Sequence, residues 1–443
     1  PLLRRGLLVC VDGAPKSLGG PSESIERPRT ATNALPGAPG CDHLGVGYNR
    51  PDLKPGRLTK LWGPKMDNGV DSYTVLIHAA RVACSPAALA ALARAARRFA
   101  AWHEIPAQAE HHGLAPLLYR HLRAAEIDLP RPVARKLQAL TVRHRHANQV
   151  RTAALGEILA ALDGAGIAPL VLKGGALAHM IYPRPGLRPM RDLDVLVRRD
   201  EAERAQQVLA QMAGAASDTQ QELDGGHHLV AGLQRDGLHV SVEIHYSLYG
   251  VQREEIEQTT PFQLGAGGPT AHTLGPEEMM WHLCRHAVGH TSVFDSIRLI
   301  WVADVVGFAE RFVEQIDWAR IERDFPVARN VLAIFGTVAP LSAALRRKAR
   351  LPSLDRAGFD LDFHGWPRSS LAAQREEKGF ARIVWDTFRP PEGWLRLHHG
   401  LSPAAPLFWY RWVRHPLHIL GHVVDLLQKT YLRPRPTSRR MLQ

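Results

Sequence analysis

The chain has 443 residues, of which 45% are hydrophobic and 22% charged, and its formal net charge is +12. That composition excludes a wholly disordered or fibrous protein, and at ~100–200 residues per domain it leaves room for two or three domains. Cys10, Cys41, Cys84 and Cys284 form no C-x-x-C pair. This argues against a disulfide framework or a cysteine zinc site and points to a reducing, cytoplasmic setting.

Residues 1–65 hold ten Lys/Arg against five Asp/Glu, and residues 429–443 hold five Lys/Arg and no acid. Most of the excess charge therefore sits at the two ends, where solvated tails are the first reading and nucleic-acid binding a weaker second. No stretch reaches the ~18 uncharged apolar residues of a transmembrane segment. The best candidate, Pro406 to Leu427, is broken by Arg411, Arg414, Pro416 and Asp425. The apolar run Leu7–Val11 is too short for a signal peptide.

Residues 1–65 are rich in Gly, Pro, Ser and Arg without periodicity, and are expected to be a disordered leader or an upstream artefact preceding Met66. Residues 66–146 read as a helical region. Ser85-Pro86 opens a helix that runs to Trp102. Shorter helices follow over about Ile105–His112 and Ala115–Ala125, and a fourth extends from Pro132 toward His146. A separate helix, about Ala147–Leu162, stops at Gly164 and Gly166. The pattern then becomes that of an α/β core over residues 147–262. Ala168–Lys173 reads as a buried strand, Gly174-Gly175 opens a short helix through Tyr182, and Asp192–Val197 is a second strand. Asp200 caps a helix to about Met212. Leu238–Leu248 alternates, with Leu238, Val240, Val242 and Ile244 on one face and His239, Ser241, Glu243 and His245 on the other. Residues 263–345 read as a helical subdomain, and residues 346–443 as a loop-rich region with an amphipathic helix over Pro416–Tyr431 and a basic tail.

The chemistry concentrates in Val171–Val197. A helix that starts directly after a strand presents free backbone N–H groups and a partial positive charge. Glycines allow close approach of a phosphate, and Lys173 adds a point charge, so Lys173, Gly174 and Gly175 are candidates to cradle a triphosphate. A spacing of two puts Asp192 and Asp194 on one strand face. Paired carboxylates of this kind suit Mg²⁺ or Mn²⁺, and Glu243 would complete a triad if its strand pairs beside theirs. Two metals so held would activate an attacking oxygen and stabilise a leaving pyrophosphate. Arg188 and Arg191 either hold phosphate or brace the loop. His245, His286 and His228 are candidates for lining the site. His282, His286 and His290 share one helix face, but i and i+8 lie ~12 Å apart, so they make a poor zinc site.

The residues Lys173-Gly174, Leu177, Tyr182-Pro183, Arg188, Met190-Arg191-Asp192, Asp194 and Leu196-Val197 form a pattern KG…L…YP…R…MRDxDxLV. With it, the chain resembles an uncharacterised bacterial nucleotidyltransferase family of the DNA polymerase β-type superfamily. His111–Tyr119, Val242–Leu248, His282–His290 with Arg298–Asp304, and Asp317-Trp318 extend the resemblance over about residues 75–345, and more loosely to Leu427. The resemblance implies an α/β (α+β) core with a small mixed sheet, flanked by helical regions. It also implies Mg²⁺-dependent transfer of a nucleoside monophosphate from an NTP, ATP foremost, to a small-molecule, peptide or protein acceptor. Asp192, Asp194 and Glu243 would then be the metal-binding catalytic residues. Two features depart from the pattern: Gly175 stands where the superfamily has serine, and 16 residues separate Gly175 from Asp192. A degenerate nucleotide- or protein-binding module is therefore the alternative, as is a nucleic-acid-directed transferase, although no basic–aromatic interleaving marks a stacking platform.

Overall fold

The computed structural model describes residues 70–213, 228–265, 267–289, 297–351, 379–390, 392–402, 405–421 and 424. The expected leader, residues 1–65, and the basic tail, residues 429–443, lie outside them, as do His227 and His290. The chain divides into two compact units. The described part of the first lies within residues 70–286 and 298–351.

The first unit begins with four short helices: α1 (Ser72–Ala79), α2 (Pro86–Arg98), α3 (Ile105–His111) and α4 (Ala115–Ala124). Their starts are specified locally. Asp71 accepts a hydrogen bond from the Thr74 amide at 2.8 Å, and Ser85 Oγ accepts one from the Ala88 amide at 3.2 Å with Pro86 at the first helical position. Next comes α5 (Arg131–Gly164), a single helix of 34 residues. The sequence pattern predicts two helices that meet near residue 146, where the largely polar run His144–Gln149 interrupts the apolar stripe. That run contains no proline or glycine, so nothing breaks the backbone, and the helix passes through.

The central sheet has four strands in the order β1-β2-β4-β3. They are β1 (Leu170–Val171), β2 (Asp192–Leu196), β3 (His228–Arg235) and β4 (Leu238–His245). β2 runs antiparallel to β1 and parallel to β4, while β3 and β4 form a hairpin. The fold is thus the expected mixed α/β one. Strand β3 was missed in the sequence, although its turn is Asp236-Gly237, with φ of 48° and 71°, the pair of positive angles a two-residue hairpin demands. Helix α6 (Lys173–Met180) starts at Lys173, so β1 is shorter than the expected strand. Helix α7 (Ala202–Ala213) follows β2. The alternation of β4 holds: Val240, Val242 and Ile244 are fully buried and form part of the core with Leu193 and Val195 of β2.

A small hairpin, β5 (Ser247–Leu248) with β6 (Val251–Gln252), and a second, β7 (Thr259–Gln263) with β8 (Thr270–Leu274), complete the β structure. The latter is tied to the sheet by the buried Thr273 hydroxyl, which donates to the Val171 carbonyl at 2.5 Å. Helices α8 (Pro276–Gly289), α9 (Leu299–Arg311), α10 (Trp318–Asp324), α11 (Pro326–Val338) and α12 (Ala343–Lys348) follow.

The second unit, where described, contains α13 (Phe380–Phe388), α14 (Glu392–His398) and a helical segment over 408–421 that includes a π turn at Tyr410–Arg414. That segment begins earlier than the expected helix. No helix among the described residues is long and apolar enough to cross a membrane.

Candidate active site

The parallel register of β2 and β4 sets Asp192 opposite Ser241, Asp194 opposite Glu243, and Leu196 opposite His245. Alternation turns Asp192, Asp194, Glu243 and His245 to the face away from Leu193, Val195, Val242 and Ile244. Asp194 is buried, at 2% exposure, and its Oδ1 accepts from Lys173 Nζ at 2.6 Å and pairs with His245 Nε2 at 3.0 Å. Glu243 Oε2 lies 3.3 Å from the same His245 nitrogen and 4.0 Å from Lys173 Nζ. Ligand atoms of Asp194, Glu243 and His245 all fall within 4.8 Å of one another, a spacing that could hold a metal ion.

The charges here are strongly interdependent. Burial alone would raise the Asp194 carboxyl, but Lys173 and the hydrogen bond from His245 outweigh it and hold it well below the usual range. Glu243 is lowered too, burial being overcome mainly by its hydrogen bond with His245. Burial opposes protonation of Lys173 and His245, yet the carboxylates raise both. Asp192 goes the other way: burial, then Asp194 and Glu243, push it up to about 6. Three carboxylates thus crowd one lysine, and the least compensated of them resists ionisation.

Lys173 reaches this position from the first residue of α6, with φ of 43°, an uncommon angle for a side-chain-bearing residue. The following glycines are buried and closely packed. A Cβ on Gly174 would lie 2.2 Å from Arg188 Nη1, and one on Gly175 would lie 2.8 Å from Val171 Cγ1. Arg188 grips Asp304 of α9 through two contacts, Nη2–Oδ2 at 2.7 Å and Nε–Oδ1 at 3.3 Å, while the Tyr182 hydroxyl donates to Asp304 Oδ1 at 2.6 Å. Through these contacts Arg188 braces the loop against α9. Arg191 is exposed at the start of β2. His228, on β3, packs its ring 5.1 Å from that of His245. His286 stands edge-on to Trp301 at 5.5 Å, one helical turn beyond His282.

Several contributors were missed in the sequence. Asn148 of α5, almost fully buried, donates to the carbonyls of Pro185 and Arg188 at 2.7 and 2.8 Å and so anchors the loop that leads into β2. Arg151, one turn further on, has its guanidinium lowered by burial and feels the charge of Asp192. His282 of α8, singled out in the sequence with His286 and His290, is buried with neither ring nitrogen hydrogen-bonded, and burial, then Lys173 and His245, lower its imidazole well below the ordinary value. Asp304 is a bare acid in an apolar helix, LIWVADVVGF, a signal for a buried partner that names no partner.

The family described as "uncharacterised nucleotidyltransferase" matches residues 100–329, and the chain belongs to it. No curated protein matches the chain. Among solved structures, it is similar to an antigenic nucleotidyltransferase-like protein from Paracoccidioides brasiliensis at 13% identity and a TM-score of 0.33, covering 48% of this chain and 97% of that one. It is also similar to the antibiotic-resistance factor ANT(2'')-Ia at 15% identity and a TM-score of 0.28, covering 40% of this chain and 97% of that one.

Proposed function

We propose that the chain transfers a nucleoside monophosphate from an NTP, ATP first among them, to an acceptor on a small molecule, peptide or protein. The observation that carries this reading is the convergence of Asp194 and Glu243 from two parallel strands onto Lys173 at the head of α6, with Asp192 on the same strand face and within reach of the lysine's charge. The donor chemistry fits a hard divalent cation, which takes oxygen ligands, better than it fits a lysine alone facing three carboxylates. Asp192, Asp194 and Glu243 would hold Mg²⁺ or Mn²⁺, which when bound activates the attacking oxygen and offsets charge on the leaving pyrophosphate. Lys173, released from Asp194, would contact the triphosphate, and Arg151 would add positive charge beside Asp192. In the transfer the acceptor oxygen or nitrogen bonds to the α-phosphorus, the bond from that phosphorus to the bridging oxygen breaks, and pyrophosphate leaves with the electron pair. Glu243, with an 18% exposed side chain against 3% for Asp194, and Asp192, half-buried at the start of β2, are the carboxylates accessible to take the acceptor's proton.

Calorimetry of ATP binding to the full chain, with and without Mg²⁺, tests this against an Asp192→Asn/Asp194→Asn variant. The expected outcome is binding that requires both the metal and the aspartates. Binding that is unchanged in the variant overturns the assignment. A second reading, a module that binds nucleotide or protein without transfer, is favoured by the contacts that occupy the cradle: Lys173 on Asp194, and Arg188 packed over Gly174 and held by Asp304. Metal-independent nucleotide binding supports it.

A further inference from the structure

The C-terminal unit carries nine of the ten large hydrophobic side chains exposed among the described residues. Five of them, Trp409, Trp412, Leu417, Leu420 and Val424, recur at spacings of 3, 5, 3 and 4. The step of five begins inside the π turn Tyr410–Arg414, whose i→i+5 bonding absorbs one extra residue and keeps the stripe on one side of the segment. The opposite side faces inward. His415 is fully buried, bonds the Thr387 carbonyl at 2.8 Å and meets Trp394 edge-on at 5.3 Å. Phe408, at 75% exposure, and Phe380 and Trp385 of α13, at 70% and 52%, add to the outward apolar surface.

Arginines are set among these rings. The Arg389 guanidinium lies 4.6 Å from the Trp385 ring centre and 4.0 Å from that of Trp412. Together with Pro390 and Arg411 they line a cavity of about 290 Å³. The carboxylates described in residues 379–424, Asp386 and Glu392, are already paired with Arg382 and Arg396 at 3.0 and 2.7 Å. Arg389 and Arg411 therefore give this face a net positive character. Residues 429–443 add Lys429, Arg433, Arg435, Arg439 and Arg440 without an acid.

We propose that this face is a docking surface for an anionic lipid bilayer. The segment lies in the plane of the interface, with its Trp, Phe and Leu side chains in the headgroup–acyl boundary. Arg389 and Arg411 bind lipid phosphates at the cavity. A lengthwise apolar stripe flanked by arginines and ringed by tryptophans is the pattern of an in-plane amphipathic segment. Complementary charge singles out anionic lipid, because a neutral apolar partner leaves the arginines without counter-charge. The aliphatic Leu417, Leu420 and Val424 have no role on a nucleic acid, whose bases stack on flat rings.

Co-sedimentation of the full chain with phosphatidylcholine vesicles, and with phosphatidylcholine–phosphatidylglycerol vesicles, tests the proposal. The expected result is pelleting with the anionic vesicles, weaker at high salt. Partitioning should fall about tenfold or more in Trp409→Glu/Leu417→Glu and again in Arg389→Gln/Arg411→Gln. Unchanged melting curves would show that the variants, altered at exposed or half-buried sites, remain folded. The proposal is overturned if neither vesicle pellets the chain or if both variants pellet like the parent. It is likewise overturned if light scattering finds a dimer that the glutamate variant dissociates, or if single-stranded RNA strips the chain from the vesicles while vesicles alone hold it no better than in the variants.

Discussion

Gly174 carries two demands at once. It lets α6 start beside the sheet, and it leaves room for the Arg188 guanidinium, which is committed to Asp304 and is not free to swing away. A Gly174→Ala methyl would lie 3.2 Å from Met190 Cγ as well, so the substitution must loosen the Arg188–Asp304 contact. Overpacking of this kind costs about 1–3 kcal/mol, and the urea midpoint should fall without a change in slope. Gly164→Ala is the matched control: at the last residue of α5 its Cβ meets nothing within 4 Å, and a stability change of about 1 kcal/mol or less, in the favourable direction, is expected. Asp304→Ala removes the counter-charge itself. Arg188 and Asp304 side chains are 12% and 3% exposed, so the orphaned guanidinium should destabilise the fold by about 3–5 kcal/mol. An apolar pair, Arg188→Met/Asp304→Leu, should recover much of that loss in the same unfolding experiment. A double variant no more stable than Asp304→Ala would mean that the pair has a further role than charge compensation.

Helix α5 links the helical region to the site through Asn148, whose amide spans the two ends of the turn Pro185–Arg188. Asn148→Ala leaves both carbonyls without that donor, at about 1–3 kcal/mol for a buried group, and frees the loop that carries Arg188. Faster proteolysis within residues 183–191, as well as a lower melting temperature, is the expected outcome. Elements of this kind mark where the sequence could be read and where it could not. The periodicity of Asp192–Leu196 and of Leu238–His245 is local, so both strands and the shared face of Asp192 and Asp194 were legible. That Glu243 stands beside Asp194 depends on parallel pairing of residues 49 apart in sequence, which no local pattern encodes; its place in the triad could be stated only as a condition. Arg188 and Asp304 are 116 residues apart, and no local pattern could name one as the partner of the other. The hairpin Thr259–Leu274 escaped because Pro261 interrupts one strand and glycines fill the turn, a composition that reads as loop.

Across the whole molecule the histidines set the response to acid. His121 Nε2 donates to the Arg81 carbonyl at 2.9 Å, yet burial keeps its imidazole below the ordinary value. Burial likewise lowers His282 and His415, and pushes His399, crowded by His398, His415 and His418, down to about 2. In the unfolded chain each of these takes a proton near pH ~6.5, whereas in the folded chain it does so only at lower pH. The unfolded state therefore binds more protons as pH falls through ~6.5, and stability present above that value is lost below it. For His399 the loss continues down to its folded value. His245 has the opposite sign, because burial is outweighed by its bonds to Asp194 and Glu243 and its folded value is raised; its contribution is present at low pH and lost as pH rises through that value. Asp192, pushed up to about 6 by burial and its neighbouring carboxylates, acts in the same direction as His245, whereas His179 and His228, lowered by burial, join the other four; two groups against six leave a net fall on acidification. Thermal melts at pH ~7.5 and ~5.5 should show a lower midpoint at the acid end, steeper than carboxylate protonation produces in that window. His399→Phe should flatten the pH dependence, because the phenyl ring fills the same space between His398 and Tyr410 and takes no proton. A melting midpoint that holds or rises at pH ~5.5 would mean that these imidazoles are solvated in the folded chain, with pKa values close to those of the unfolded one.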